Sequence, residues 1–305
     1  MSGPGMSFSY RAQYAAIRCV SAVVNAAPLG AALAAGSLLG RVCWSIFGVR
    51  RDVCRVNIRQ AFPDLPPREV DRIGRDSYRN AGRFMVEFAR QPGMGRAYAE
   101  KYVTVEPTPA LREFLETPTG LLAISFHFGN WEYGGIMTGF LKPGTAFLVG
   151  EQRNELVDGH INRLRGSHGN VLLTRDAAMR GIIGIAKNGG AASWLSDQDA
   201  GKNGIVVPFF GYPASTPRGA AAFSVKLGIP IACSFMVRVR GPHQRFVLRT
   251  VLHPRTDLPR DEAEKDITMR YTKVLEDAVR ENPDHYWWAH RRWKTTGLYR
   301  RGINT

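Results

Sequence analysis

Leu121-Leu122-Ala123-Ile124-Ser125-Phe126-His127-Phe128-Gly129-Asn130-Trp131-Glu132 begins as an apolar run and ends in a turn that opens a helix. The apolar residues have the length and composition of a buried strand. Gly129-Asn130 supplies a turn and an N-cap, which places Glu132 in the first helical turn. The stretch is therefore a strand–loop–helix unit. An imidazole stands at the strand end, with a carboxylate one turn into the next helix. Such a pair can act as a general base with its orienting partner. The same pair can also be two ordinary polar groups satisfied by their neighbours, and the spacing alone does not choose.

Outward from this unit the pattern repeats. Short apolar runs predict strands over 120–126, 145–150, 170–174, 191–196, 205–209, 230–239 and 245–252. Amphipathic runs predict helices over 131–140, 154–167, 176–187, 217–227 and 261–281. Two further helices precede them, over 52–61 and 67–90, the second opened by Pro66-Pro67 with Glu69 and Asp71 in its first turn. Alternation of this kind means an α/β fold: a mixed, mostly parallel central sheet covered by helices, with active groups at strand ends. The last two strands read as an antiparallel pair. No internal repeat and no domain boundary after residue 50 is visible.

The chain has 305 residues, enough for a sizeable core, and 44% hydrophobic with 22% charged residues excludes a disordered protein. Its 41 Lys and Arg against 26 Asp and Glu give a net charge of +15, which calls for an acidic partner. No nucleic-acid module is legible. Arginine outnumbers lysine, which suits bidentate contacts to phosphate or carboxylate. Cys19, Cys43, Cys54 and Cys233 form no Cys-x-x-Cys pair and have no histidine cluster beside them. They read as reduced thiols, with neither metal nor disulfide framework.

Cys19 to Gly40 contains no charged residue and is bracketed by Arg18 and Arg41. As one helix it would be about 33 Å long. A buried core helix, a cleaved signal peptide and a membrane anchor, spanning or interfacial, all fit. Asn25 and Pro28 interrupt the apolar run and weigh against the signal peptide. Arg41, Arg50, Arg51, Arg55 and Arg59 follow closely and point to an anchor with the remainder on the cytoplasmic side.

Three more constellations carry possible chemistry. Ser196-Asp197-Gln198-Asp199 follows a strand, and a period of two would turn both aspartates one way. They can hold a metal and nucleotide sugar, place a carboxylate near His127, or accept ion pairs from arginines. Val206-Val207-Pro208-Phe209-Phe210-Gly211 leads to Ser215-Thr216-Pro217-Arg218. Thr216 reads there as an N-cap, and the helix N-terminus with Arg218 as an anion site. Phe209 and Phe210 can line an apolar tunnel or fill the core. Asn282 to Lys294 interleaves aromatic and basic residues, among them His290, Arg291 and Arg292, as single-stranded nucleic acid or a membrane surface would favour. Arg153 joins the candidate anion contacts.

Taken together these runs resemble the bacterial lipid A biosynthesis (late) acyltransferases, within the lysophospholipid acyltransferase-like fold. The pieces that carry the resemblance are His-Phe-Gly-Asn-Trp-Glu at 127–132, Asp-Gln-Asp at 197–199, Val-Pro-Phe-Phe-Gly at 207–211, Thr-Pro at 216–217 and Trp-Ala-His-Arg-Arg-Trp-Lys at 288–294, in that order. The family's His-x4-Asp/Glu motif falls on His127 and Glu132. The resemblance implies that His127 deprotonates an acceptor hydroxyl, which attacks an acyl thioester, while Glu132 holds the imidazole. Asp197 or Asp199 is the possible second carboxylate, and Asn130, with Gly129, or Arg153 a possible oxyanion donor. It implies an anchor segment over 1–50 and an acyltransferase domain over 51–305 at the inner membrane, with no cofactor and no metal. The implied donor is acyl carrier protein, or acyl-CoA, and the acceptor a phosphorylated lipid A precursor. Acyl-CoA-dependent acylation of phosphatidylinositol mannosides is the alternative within the fold. An Asp-x-Asp glycosyltransferase and a non-enzymatic anionic-lipid binder are the rivals outside it.

Overall fold

The computed structural model describes residues 8–299. The N-terminal helices are α1 (Phe8–Ala26) and α2 (Leu29–Val42), the latter continued by a π-helical turn over Cys43–Phe47. α3 (Arg51–Ala61) and α4 (Pro67–Ala89) follow. The rest of the order is α5 (Arg96–Tyr102), β1 (Val103–Val105), α6 (Pro109–Glu116), β2 (Leu121–Ser125), α7 (Trp131–Leu141), β3 (Ala146–Leu148), α8 (Glu155–Arg165), β4 (Val171–Leu173), α9 (Arg175–Asn188) and β5 (Ala191–Leu195). The hairpin β6 (Ile205–Phe209) and β7 (Tyr212–Thr216) then leads to α10 (Gly219–Leu227), β8 (Ile231–Arg240), β9 (His243–Leu252) and α11 (Arg260–Glu281).

Seven strands form one sheet in the order β1-β9-β8-β2-β5-β3-β4. All pairings are parallel except β8 with β9, so the sheet is mixed and mostly parallel, as the strand–helix alternation implies. β2 lies at its centre, buried along its whole length, which is why Leu121–Ile124 reads as a continuous apolar run. Two apolar cores cover the two faces of the sheet. One gathers Phe126, Phe128, Trp288 and Trp293, the other Tyr133, Ile136, Met236 and Phe246.

Two local readings are corrected. The uncharged N-terminal stretch is not one helix: Pro28, with φ −54° and ψ 138°, separates α1 from α2. Proline has no amide hydrogen to continue the helical ladder and disfavours helical backbone at the residue before it. Leu29–Phe47 is still a 19-residue helical run apolar enough to cross a membrane by length and composition. Nor does Thr216 cap a helix. Phe210 and Gly211 both take positive φ, 50° and 73°, the two-residue turn that closes a hairpin. The chain therefore returns as β7 through Thr216, and α10 starts only at Gly219.

Candidate active site

The loop between β2 and α7 is fixed on several sides. Asn130 caps α7, its Oδ1 accepting from Tyr133 N–H (3.1 Å), and its Nδ2 donates to Glu87 Oε2 (2.8 Å). Glu87 is a buried carboxylate of α4 that also takes Arg238 Nη2 (2.5 Å) and Gln244 Nε2 (3.1 Å). Asn130 is thus a structural keystone in this site, with its side chain already committed on both ends. Gly129 has φ +59°, and a Cβ there would lie 1.8 Å from the Met236 carbonyl oxygen. Its N–H donates to His285 O (2.9 Å), while His127 O accepts from Trp287 N–H (2.9 Å). Phe128 pairs with Tyr286 in an antiparallel bridge. The C-terminal run is therefore bonded as a short extra strand to the loop that bears His127.

The carboxylate on the imidazole is Asp197. His127 Nδ1 lies 2.8 Å from Asp197 Oδ1, and the His127 backbone N–H donates to both carboxylate oxygens (3.1 and 3.2 Å). Burial and the charge of Asp197 push the nearby Tyr286 hydroxyl well up. Burial alone would raise the Asp197 carboxyl. The His127 ring charge, the bonds from His127 and the field of Arg292 outweigh burial and hold it below the ordinary carboxylate range. With Nδ1–H donating to a carboxylate, the imidazole presents Nε2 as its basic nitrogen. That nitrogen faces Gln198 Nε2 at 3.1 Å. The ring is partly exposed and lies against Trp131, at 5.1 Å between centroids. Trp131 in turn stacks on Phe84 of α4 at 4.0 Å.

Glu132 meets a different partner. Its carboxylate is gripped by the Arg165 guanidinium at the end of α8, with Nη2–Oε1 at 2.6 Å and Nε–Oε2 at 3.0 Å. The pair lines a cavity of about 60 Å³ with Ser125, Trp131, Phe147 and Leu195, at the C-terminal ends of β2, β3 and β5. Ligands in open α/β sheets bind at that edge.

The two aspartates of the Asp-x-Asp run diverge, because β5 ends at Leu195 before the run begins. Asp199 accepts from Thr295 N–H (3.0 Å), Thr295 Oγ1 (2.7 Å) and Gly201 N–H (3.2 Å), tying down the C-terminal turn. His290 Nε2 accepts from the Asp199 backbone N–H (3.0 Å), and burial pushes the imidazole down to about 4, so at neutral pH it carries no charge for an anion. Arg292 is buried. Its Nη1 donates to Ser215 O (2.5 Å) and its Nη2 to Thr216 Oγ1 (2.6 Å). Thr216 and Arg292 are thus a buried internal pair, not a phosphate site. Arg218 is engaged by Glu264 and Asp261 on α11. Arg291 lies over the Tyr299 ring at 5.8 Å. Arg153 is exposed and lines a groove of about 720 Å³ between α1 and α8 with Gln13, Ile17 and Val157, separate from the cavity beside Glu132. Phe209 and Phe210 are core residues. Arg165, Glu87, Arg238 and Tyr286 are the participants that the sequence reading did not single out.

An α/β protein with a partly exposed histidine held on a buried aspartate at the C-terminal edge of parallel strands is the class that fold and site define. The family model of the bacterial lipid A biosynthesis acyltransferases matches residues 7–295, and the chain belongs to that family and is an acyltransferase. It is similar to the lipid A biosynthesis palmitoleoyltransferase of Escherichia coli (strain K12), 26% identical over 263 residues, covering 85% of this chain and 84% of the relative. The lipid A biosynthesis lauroyltransferase of the same strain is 24% identical with the same coverage. The lipid A biosynthesis acyltransferase of Haemophilus influenzae is 25% identical over 249 residues, covering 81% and 78%.

Proposed function

We propose that the protein moves a fatty acyl chain from an acyl thioester on acyl carrier protein to a hydroxyl of a phosphorylated lipid A precursor, with His127 as general base. The observation that carries this reading is the 2.8 Å contact of His127 Nδ1 with buried Asp197, which turns Nε2 to the sheet edge as the ring nitrogen that can take a proton. The acceptor hydroxyl replaces Gln198 at Nε2 and gives up its proton there as the oxygen attacks the thioester carbonyl. The tetrahedral intermediate then expels the thiolate, which takes the proton back from the imidazole. Asp197 fixes the tautomer and balances the charge that the ring acquires. Glu132 works through Arg165, holding the guanidinium at the cavity where negative charge develops on the carbonyl oxygen.

The net charge of +15 suits both an acidic carrier protein and a phosphorylated glycolipid. Residues 1–50 serve as the attachment segment and 51–305 as the acyltransferase domain, at the cytoplasmic face of the inner membrane. Residues 1–7 and 300–305 of those spans lie outside the described residues. The test is a panel of acyl carrier protein against acyl-CoA donors and lipid A precursor against mannosylated phosphatidylinositol, read by mass spectrometry of the product. Acyl carrier protein with the lipid A precursor is expected to give product, and His127→Ala to lose it by orders of magnitude while staying folded. Wild-type turnover in His127→Ala would sink the mechanism, and product from the mannosylated acceptor alone would move the protein to the alternative branch.

A further inference from the structure

The two N-terminal helices, α1 and α2, are fixed to the body of the protein. α2 runs antiparallel to α4 so closely that only glycines fit between them. A Cβ on Gly40 would lie 1.9 Å from the Tyr78 carbonyl oxygen, and one on Gly82 1.9 Å from that of Gly36. Further on, Gly74 receives the ring of Trp44, which a Cβ would approach to 2.3 Å. At the other end Arg90 Nη1 donates to the Ala27 carbonyl (2.8 Å), and Asn25 Nδ2 donates to that of Ala89 (2.9 Å). Contact thus extends from Asn25 to Trp44 on one side and from Gly74 to Arg90 on the other. α1 is tied down too: Asn154 Nδ2 donates to Tyr10 O and Gln13 Oε1, both at 3.1 Å.

α4 cannot accompany α2 into a bilayer. Over the shared length it carries Arg75, Asp76, Arg79, Arg83 and Glu87. Arg79 Nε donates to Ser37 Oγ (3.2 Å), midway along α2, and Arg79 also pairs with Asp76 (3.1 Å). The same helix is bonded to the loops that build the site, through Ser77 Oγ to Tyr286 O (2.8 Å), Asn80 Nδ2 to Asp284 O (3.0 Å) and Glu87 to Asn130. A crossing by α2 would carry ionised side chains and irregular backbone to bilayer depth, where neither is tolerated without cost.

The opposite face of the hairpin is apolar and uncovered. Leu38, Leu39, Ile46, Phe47 and Val49 are each at least 53% exposed, continued by Val20 and Val23 on α1. Arg11, Arg18 and Arg41 on the same two helices are exposed. A helix pair that exposes an apolar stripe and carries basic residues matches the boundary between acyl chains and anionic head groups.

We propose that residues 8–50 lie in the plane of an anionic phospholipid surface as a two-helix keel, and that α2 does not cross the membrane. This rests on the membrane-bound reading above and adds its geometry. The keel is welded to α4, and α4 supplies Phe84 to the Trp131–His127 stack, so the base is held at a set distance from the leaflet that carries the lipid acceptor.

The test places a protease-cleavable tag at each end of the full-length chain and exposes intact spheroplasts and inverted inner-membrane vesicles to the protease. Cleavage of both tags only in inverted vesicles is expected, and cleavage of the N-terminal tag in spheroplasts with the C-terminal tag protected would overturn the proposal. Recovery of the protein in the soluble fraction, with acyl transfer intact, would overturn membrane attachment and leave the acyltransferase reading standing. In a second arm, Leu39→Lys with Phe47→Lys should weaken sedimentation with phosphatidylglycerol-containing vesicles on the order of tenfold or more. Wild-type should bind pure phosphatidylcholine vesicles more weakly than those. Undiminished sedimentation of the double variant would refute the keel.

Discussion

Asp197→Asn keeps the shape of the carboxylate and removes its charge. The native side chain accepts from the His127 ring and, on both oxygens, from the His127 backbone N–H. A carboxamide keeps one acceptor oxygen, and its NH2 group takes the place of the other. Turned toward Nδ1, it forces the ring proton onto Nε2 and abolishes the base. Turned away, it leaves the ring oriented but without a counter-charge. A unit charge about 4 Å from the ring, at an effective dielectric of about 20, is worth about 4 kcal/mol. That corresponds to roughly a thousandfold in rate, and the equivalent exchange in Ser-His-Asp enzymes costs about ten thousandfold through the tautomer. Single-turnover acyl transfer should therefore fall by about three to four decades, with KM for both substrates little changed and the thermal transition still cooperative. An Asp197→Asn enzyme that turns over like wild type, beside an inactive His127→Ala, would show that the 2.8 Å contact does not orient the base.

Two further outcomes follow from the same geometry. Gly129→Ala places a methyl where the Met236 carbonyl oxygen stands, at a backbone φ that L-residues disfavour, and should cost about 2 kcal/mol or more. Urea unfolding reads that loss, and a midpoint equal to wild type would mean that the loop relaxes freely. His290 is held neutral by burial, with its titration lowered to about 4 from the usual 6.5. Between pH 6.5 and 4 the unfolded chain therefore binds a proton that the folded chain refuses, and stability falls as pH falls. The slope is at most about 1.4 kcal/mol per pH unit, reduced by solvent screening of the partly exposed ring. His290→Asn, which can still accept from Asp199 N–H, should lose that part of the pH dependence in chemical denaturation.

The sheet was legible because its strands are nearly all apolar runs bounded by turn residues, and β2 through β5 fall where composition places them. β7 was not, because Tyr212-Pro213-Ala214-Ser215-Thr216 has no alternation strong enough to outweigh Pro217 as a helix-start signal. Its evidence lay in Phe210-Gly211, where a bulky residue in left-handed backbone disguises a hairpin turn. β1 lies partly exposed at the sheet edge, with Thr104 at its centre and charged Lys101 and Glu106 close on either side, so no apolar run marks it. At the site, His127 was legible from its place at the end of β2. Its partner stayed open between Glu132, which the motif spacing suggests, and Asp197 or Asp199: helix geometry turns Glu132 toward Arg165 at the end of α8, and Asp197 meets the ring. Sequence proximity sets which residues share an element. It does not set which side chains meet across the sheet edge.

The C-terminal run makes the same point from the opposite direction. Its alternation of aromatic and basic residues looks like a surface for an anionic ligand, yet Trp288, Arg292 and Trp293 are among the most deeply buried side chains. The tilted ring contact of Phe209 with Trp293, and Arg292 over Phe209 at 5.4 Å, close the β6–β7 hairpin onto this run. A buried arginine is costly unless its charge is used. Here its field falls on Asp197, His290 and Tyr286, so it favours the ionised carboxylate that the imidazole needs and the neutral state of the histidine beside it. A basic residue that composition assigns to a partner is in this case part of the electrostatics of the His127–Asp197 pair itself. The net positive charge left for the donor and the acceptor must then be counted without Arg292, while the arginines paired to carboxylates on α4 and α11 already add nothing to it.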